Sequence, residues 1–196
     1  MIAAMLRAAL ILLAVPAAAS GAPLPGDIAR LIPAGYEVIA AASSSPAPSR
    51  KFYFVALASR AEGKAASAGR APSRPLLLFE ARRSGRYSLA GRNDRLLYRA
   101  DEGGINGCDP FEGRGIAAKG PYVTIEQGIA CGAHWTDYVT FKFDPRTGAY
   151  RFDNWRTQSW SLNPSNDPNA QALISDGQKL VRAKGRPVSF AAWRRP

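Results

Sequence analysis

The chain has 196 residues, of which 46% are hydrophobic and 10% aromatic, and this composition excludes a disordered protein. One domain with a hydrophobic core is expected. The formal net charge is +11, but the basic residues are scattered among acidic ones instead of forming a run. Charge alone is therefore weak support for a nucleic-acid function, and no nucleic-acid partner is predicted.

Residues 1–22 have the pattern of a secretory signal peptide. A positively charged Arg7 precedes the apolar run from Ala8 to Val15, and Pro16 and several small residues follow it. We predict cleavage after Ala19 or Ala22. The apolar run is shorter than the roughly 20 residues that a membrane-spanning helix needs, so no membrane span is expected. The sequence thus predicts a bacterial protein that is periplasmic or secreted.

The mature chain is predicted to form a single β-rich domain over residues 23–193, followed by a frayed tail at 194–196. One short N-terminal helix is expected to begin near Gly26 and to end before Pro33. The segment 59–75 is rich in Ala, Gly, Ser and Arg without periodicity, and it is predicted to be an exposed and mobile insertion. The strands predicted in the first half lie at 36–42, 51–58, 76–81, 86–90 and 96–99.

Alternation of apolar and polar residues is clearest in the second half of the chain. From 135 to 143, every second residue is apolar or aromatic except Asp137, which shares that face. The turn Asp144–Gly148 is the clearest hairpin signal, since its proline and glycine suit the turn positions that they occupy. Further strands are predicted at 114–119, 122–127, 150–155, 179–181 and 188–190, with one or two helical turns at 170–175. About eight to ten short strands indicate a mainly β fold, either an antiparallel sandwich or a curved meander.

The two cysteines are Cys108 and Cys131. In an exported protein a pair of cysteines is better explained by one disulfide than by a metal site or a redox pair, so we predict that they are bonded. Two free thiols are the alternative.

No metal site or cofactor is predicted. His134 is the only histidine, and its spacing from the cysteines matches no zinc pattern. Oxygen ligands for calcium occur together in one loop, although a solvated acidic loop offset by arginines explains them better. The loop residues are Asp101, Glu102, Asn106 and Asp109.

Catalytic residues are sparse, and the balance favours a protein that is not an enzyme. A serine hydrolase would have to use His134, but the chain has no Gly-x-Ser-x-Gly motif to present the serine. Glu126 and Asp137 could act as a carboxylate pair on a glycoside. The alternative for Asp137 is an ion pair with an arginine such as Arg151. A periplasmic hydrolase that uses His134 or the carboxylate pair remains the second hypothesis.

Aromatic and basic residues interleave between 135 and 160, as in surfaces that bind glycans or peptides. The alternative is that the same aromatic side chains fill the core. The predicted binding surface consists of Tyr138, Arg151, Trp155, Arg156 and Trp160. The leading hypothesis is therefore an exported, non-enzymatic β-domain that binds a protein or an anionic envelope component.

Several short motifs resemble uncharacterised exported bacterial β-rich proteins, some of them distantly similar to FG-GAP or VCBS integrin-like proteins. The motifs are Leu31–Ile39, Arg74–Leu78, Asn93–Asp94, Asp109–Gly113 and the aromatic hairpin that follows. The resemblance implies export and a β-rich fold. In such relatives an Asp-rich loop after the first strand can bind calcium, but the corresponding segment here, 43–51, contains no acidic residue. Calcium binding is therefore not transferred.

Overall fold

The computed structural model describes residues 24–104, 107–131, 133–165 and 167–196. The predicted signal peptide and its cleavage sites lie outside these residues. In the described chain, no helix is long and apolar enough to cross a membrane.

The fold is mainly β and consists of two antiparallel sheets in which neighbours in sequence are neighbours in space. The four-stranded sheet contains β1 (Tyr36–Ala47), β2 (Arg50–Ser59), β3 (Leu76–Ala81) and β4 (Tyr87–Asn93). The five-stranded sheet contains β5 (Gly115–Lys119), β6 (Tyr122–Cys131), β7 (Ala133–Asp144), β8 (Ala149–Leu162) and β9 (Leu173–Arg182). The helices are α1 (Gly26–Ala29), α2 (Glu62–Ala66) and a 3₁₀ helix, Phe190–Ala192. These nine strands agree with the predicted eight to ten, and α1 is the predicted N-terminal helix.

The two sheets pack against each other through one hydrophobic core. Phe52 on β2 lies with its ring centroid 5.6 Å from that of Phe143 on β7 and 5.3 Å from that of Tyr150 on β8. Phe190 joins this core from the C-terminal segment, with its ring 5.4 Å from that of Phe141. Edge-to-face aromatic pairs of this kind add to the free energy gained from burial.

The four-stranded sheet is also covered on its other face. Val55, Leu57, Leu77 and Phe79 form a second cluster there, closed by Ile28 from α1. Because successive side chains of a strand point to opposite faces, β2 and β3 need apolar residues at nearly every position. This explains the uninterrupted apolar sequence of both strands.

The predicted hairpin at Asp144–Gly148 is confirmed. The Gly148 N–H donates to the Asp144 carbonyl at 2.8 Å, and Gly148 adopts a φ of +66°, which suits glycine. The Asp144 carboxylate also accepts hydrogen bonds from the Arg146 N–H and the Thr147 hydroxyl, both at 3.0 Å. Turn and side chain thus fix the register of β7 against β8.

Several predicted boundaries are wrong. Leu96–Arg99 is not a strand, and β1 continues to Ala47 through the predicted loop at 43–49. The predicted helical turns at 170–175 are replaced by the start of β9 at Leu173. In place of a strand at 188–190, Ser189 forms a single bridge with Arg151 before the 3₁₀ helix. Tertiary pairing decided these segments, since their local sequence preferences are weak.

The segment 59–75 is more ordered at its ends than its composition indicates. It contains α2, and Arg74 at its C-terminal end is only 2% exposed. The expectation that the whole segment is exposed is therefore wrong, while its mobility stays a prediction. The tail at 194–196 also has a contact, because the Arg195 guanidinium stacks on Tyr98 at 3.2 Å from the ring centroid.

Candidate binding face of the five-stranded sheet

Unlike the four-stranded sheet, the five-stranded sheet has one face that no other element of the described structure covers. Residues directly opposite each other in an antiparallel sheet point to the same face, so the strand register gives the composition of that face. The rows across it are Lys119–Tyr122–Lys142–Arg151, Ala117–Thr124–Thr140–Asn154–Arg182, Gly115–Glu126–Tyr138–Arg156–Leu180, Gly128–Thr136–Gln158–Gln178 and Ala130–His134–Trp160–Ser175. We call these residues the open face.

The open face is strongly basic. Its five cations are Lys119, Lys142, Arg151, Arg156 and Arg182, whereas Glu126 is the one carboxylate of these rows and Asp144 follows Lys142 on the same side at the end of β7. Glu126 is already paired with Arg114 at 2.8 Å. Within the described residues, none of the five cations has a carboxylate at ion-pair distance. The face therefore carries positive charge that a ligand could neutralise.

Aromatic rings lie between these cations. The Lys142 ammonium is 5.4 Å from the ring centroid of Tyr122, and the Arg156 guanidinium is 5.8 Å from that of Tyr138. Such cation–π contacts hold long side chains against the sheet and so reduce the rotamer entropy lost on binding. Burial raises the pKa of the Tyr138 phenol, and the Glu126 carboxylate raises it further. Tyr138 is thus a neutral hydrogen-bonding group at physiological pH.

Four of the five predicted surface residues lie on the open face, in three of its rows. Tyr138 and Arg156 are direct neighbours, Trp160 lies two rows away and Arg151 lies two rows away on the other side. Trp155 points to the opposite face, is 8% exposed and belongs to the core, where the Lys179 ammonium lies 5.2 Å from its ring centroid. The alternative explanation, that a tryptophan fills the core, holds for Trp155.

Lys119, Lys142, Tyr122 and Arg182 were not among the predicted surface residues. The alternation in β7 does place Lys142 beside Tyr138, so the sequence contained that part of the signal. The other three lie on β5, β6 and β9, and their place on the open face depends on the strand register, which no local pattern specifies.

Part of the inner face of this sheet is covered by the segment that joins the two sheets. The Tyr98 hydroxyl donates to Asp137 at 2.7 Å, and the Tyr98 N–H donates to the side-chain oxygen of Gln127 at 2.6 Å. The Gln127 amide in turn donates to the Leu96 carbonyl at 3.1 Å. The predicted pairing of Asp137 with Arg151 is wrong, because Arg151 lies on the other face of the sheet. Asp137 therefore anchors the joining segment.

A buried ion-pair cluster fixes the other end of that segment. Arg74 donates to both carboxylate oxygens of Glu62, at 2.8 and 2.6 Å, and also binds both oxygens of Asp109. Burial acts to raise the pKa of Asp109, but hydrogen bonds from Arg74 and from the Phe111 N–H outweigh it and lower that pKa overall. The cluster joins the end of 59–75 to the residue that follows Cys108.

The predicted disulfide between Cys108 and Cys131 is confirmed. It fastens the joining segment to the end of β6, beside the contact in which the Gly128 N–H donates to the Pro110 carbonyl at 2.7 Å. A disulfide fits a protein of an oxidising compartment.

The geometry does not assemble the carboxylate pair considered above, and a hydrolase that uses His134 stays a prediction. Glu126 lies on the open face, whereas Asp137 lies on the inner face and is 2% exposed, so the two carboxylates cannot flank one bond. His134 lies on the open face in the row of Trp160. The acidic loop has other partners, since Arg99 lies near Asp101 and Glu102, while Asn106 is outside the described residues. Across the described ranges, no three His, Cys, Asp or Glu side chains are grouped to hold a metal ion.

Comparison with family models, with curated proteins and with solved structures found no match to this chain. The resemblance to FG-GAP or VCBS integrin-like proteins stays a prediction. Function is therefore inferred from the geometry of the open face.

Proposed function

We propose that this protein is an exported, non-enzymatic β-domain that binds an anionic component of the bacterial envelope through the open face. The observation that carries the proposal is the register, which places five cations on one uncovered sheet face, where the two carboxylates, Glu126 and Asp144, already pair with Arg114 and Arg146. Export is supported by the signal-like sequence at 1–22 and by the disulfide.

The shape of the face favours an extended ligand over a small one. The cations lie on four strands, β5, β7, β8 and β9, across the width of the sheet, so that a flexible anionic chain could contact several of them together. A single exposed ion pair contributes only about 0 to 1 kcal/mol, and useful affinity therefore requires several contacts at once. We expect the ligand to be an acidic polymer, with its rings or chain resting on Tyr122, Tyr138 and Trp160.

Charge reversal tests this function. We expect Arg156→Glu combined with Arg182→Glu to weaken binding to an acidic oligosaccharide, oligogalacturonate, by about tenfold or more. The matched control is Lys64→Glu with Arg70→Glu, which reverses two exposed charges near α2 and should change binding less than about twofold. Binding should also weaken as salt rises, since the contacts are exposed.

Equal weakening by both double variants would contradict the proposal, because it would show attraction by net charge alone. An acidic envelope protein presents the same charge as an acidic polymer, so envelope extracts are tested in parallel. One acidic envelope protein could be captured saturably by the unsubstituted protein and not by the Arg156/Arg182 variant. If oligogalacturonate also fails to bind, the ligand is that envelope protein and not a polymer.

A further inference from the structure

A second basic site lies at the end of the four-stranded sheet, away from the open face. A cavity of about 880 Å³ opens there, beside the β1–β2 turn and the β3–β4 turn. Its lining contains four cations, Arg50, Lys51, Arg82 and Arg83, with Glu80 as the one carboxylate, so the net charge of the lining is +3. The volume lies within the range of small-molecule sites.

Glu80 does not repel an anion from the cavity, because Arg50 neutralises the Glu80 carboxylate. The Arg50 guanidinium lies 2.6 Å from the Glu80 carboxylate and donates to the Gly148 carbonyl at 2.8 Å. It also lies 5.3 Å from the ring centroid of Phe52 and 5.4 Å from that of Phe143. Arg50 is thus a fixed positive group at the junction of the two sheets.

The other three cations, Lys51, Arg82 and Arg83, have hydrogen-bond donors that are available to a ligand. The Arg82 Nε donates to the Ser88 hydroxyl at 2.6 Å, which leaves its terminal nitrogens available. Lys51 and Arg83 are exposed and have no carboxylate at ion-pair distance within the described residues. Guanidinium and ammonium groups can only donate hydrogen bonds, so these groups require acceptors from a ligand or from water.

We propose that this cavity binds a phosphorylated anion with two or more negative charges. Arginine pairs with phosphate through two parallel hydrogen bonds, and lysine adds a mobile charge that can follow a second phosphate oxygen. Lys51 comes from the start of β2 and Arg82 and Arg83 from the β3–β4 turn, so the cations approach a bound group from two sides. The half-buried ring of Tyr87 supplies an apolar wall.

The site shares no residue with the open face and goes beyond the function proposed for that face. The phosphate group could belong to a soluble molecule or to a lipid headgroup. Both sources present the same oxygens to the arginines, and the experiment separates them.

The test is titration calorimetry of the disulfide-bonded protein with pyrophosphate at constant ionic strength. We expect saturable binding at one site, weakened by about tenfold or more in Lys51→Gln with Arg83→Gln. The matched control, Lys64→Gln with Arg70→Gln, removes two exposed charges that lie outside both sites and should change pyrophosphate binding less than about twofold. The same cavity variant should leave oligogalacturonate binding unchanged, so failure of either site is recognised separately.

Vesicles of phosphatidylcholine with and without phosphatidic acid form the second arm. If the protein binds phosphatidic acid vesicles more tightly than pyrophosphate, and the cavity variant loses this binding, the ligand is a lipid headgroup. If it binds pyrophosphate more tightly, the ligand is a soluble phosphate. Unsaturable binding in both arms, or equal weakening by the cavity and control variants, would overturn the proposal. Near-ultraviolet circular dichroism confirms that each variant is folded, and all four substituted side chains are exposed.

Discussion

The two sheets of this protein use the same strand geometry for different purposes. The central strands of the four-stranded sheet, β2 and β3, are apolar on both faces, because they pack on the five-stranded sheet on one side and on α1 on the other. The five-stranded sheet is apolar on one face only, and its other face carries cations and aromatic rings. A sheet buried twice serves stability, whereas a sheet buried once leaves a surface available for binding. The difference locates the proposed function on the five-stranded sheet.

Truncating an outward-facing aromatic side chain on each sheet is the most direct test of this difference between the two sheets. Phe79→Ala removes a fully buried ring from the outer face of the four-stranded sheet, and we expect it to lower the free energy of unfolding by about 3 to 5 kcal/mol. Tyr138→Ala, on the open face, should cost about 1 kcal/mol or less. Urea denaturation measures both. Similar losses would show that the open face is as important to stability as the covered one.

Removing the disulfide should have the next largest effect. Cys108 and Cys131 are 23 positions apart, and closing a loop of that length stabilises the folded chain by about 3 kcal/mol in the chain-entropy model. We expect Cys108→Ser with Cys131→Ser to lose about this amount of unfolding free energy. Reductant should lower the urea midpoint of the unsubstituted protein and leave that of the double variant unchanged. A midpoint insensitive to both changes would rule out a stabilising role.

A close backbone contact between β6 and β7 distinguishes two glycines of the five-stranded sheet. A Cβ at Gly128 would lie 2.8 Å from Thr136 Cα and closer still to the Trp135 carbonyl oxygen, so Gly128→Ala should cost about 2 kcal/mol. Gly115→Ala on β5 is the matched control, since a Cβ there meets nothing within 4 Å. Thermal unfolding compares the two variants, and equal melting temperatures would contradict the prediction.

The smallest effect concerns acid stability at the cluster that joins the sheets. Because folding lowers the pKa of Asp109, the stability it contributes is present above the unfolded pKa of about 4 and is lost as pH falls through the folded pKa. Asp109→Asn should cost about 1 to 2 kcal/mol at pH 7 and flatten the fall in stability below about pH 4. Asp94→Asn, in an exposed pair with Arg92, is the control. If the free energy of unfolding of Asp109→Asn falls below pH 4 as steeply as that of the unsubstituted protein, this interpretation is wrong.

The sequence predicted much of the fold and part of the candidate site. Alternation in β7 identified the face shared by Asp137 and the core residues, and proline and glycine identified the turn at 144–148. Alternation continued from Tyr150 and Phe152 puts Trp155 outward and Trp160 inward, and a bulge at Asp153 reverses both, so that Trp155 faces the core and Trp160 faces outward. The cavity at the end of the four-stranded sheet has no local signal, because its cations come from two distant segments, the start of β2 and the β3–β4 turn.

Composition and periodicity by themselves determined the fold class, the number of strands, the disulfide and the alternating faces, because these follow from short-range chemistry and from the period of two. Tertiary structure alone decided which face is covered. In the folded chain Leu96–Arg99 is not a strand but covers part of the inner face of the five-stranded sheet, where Tyr98 holds it. Arg74 is buried between two carboxylates. Those outcomes depend on contacts between residues far apart in the chain, for which a local pattern carries no information.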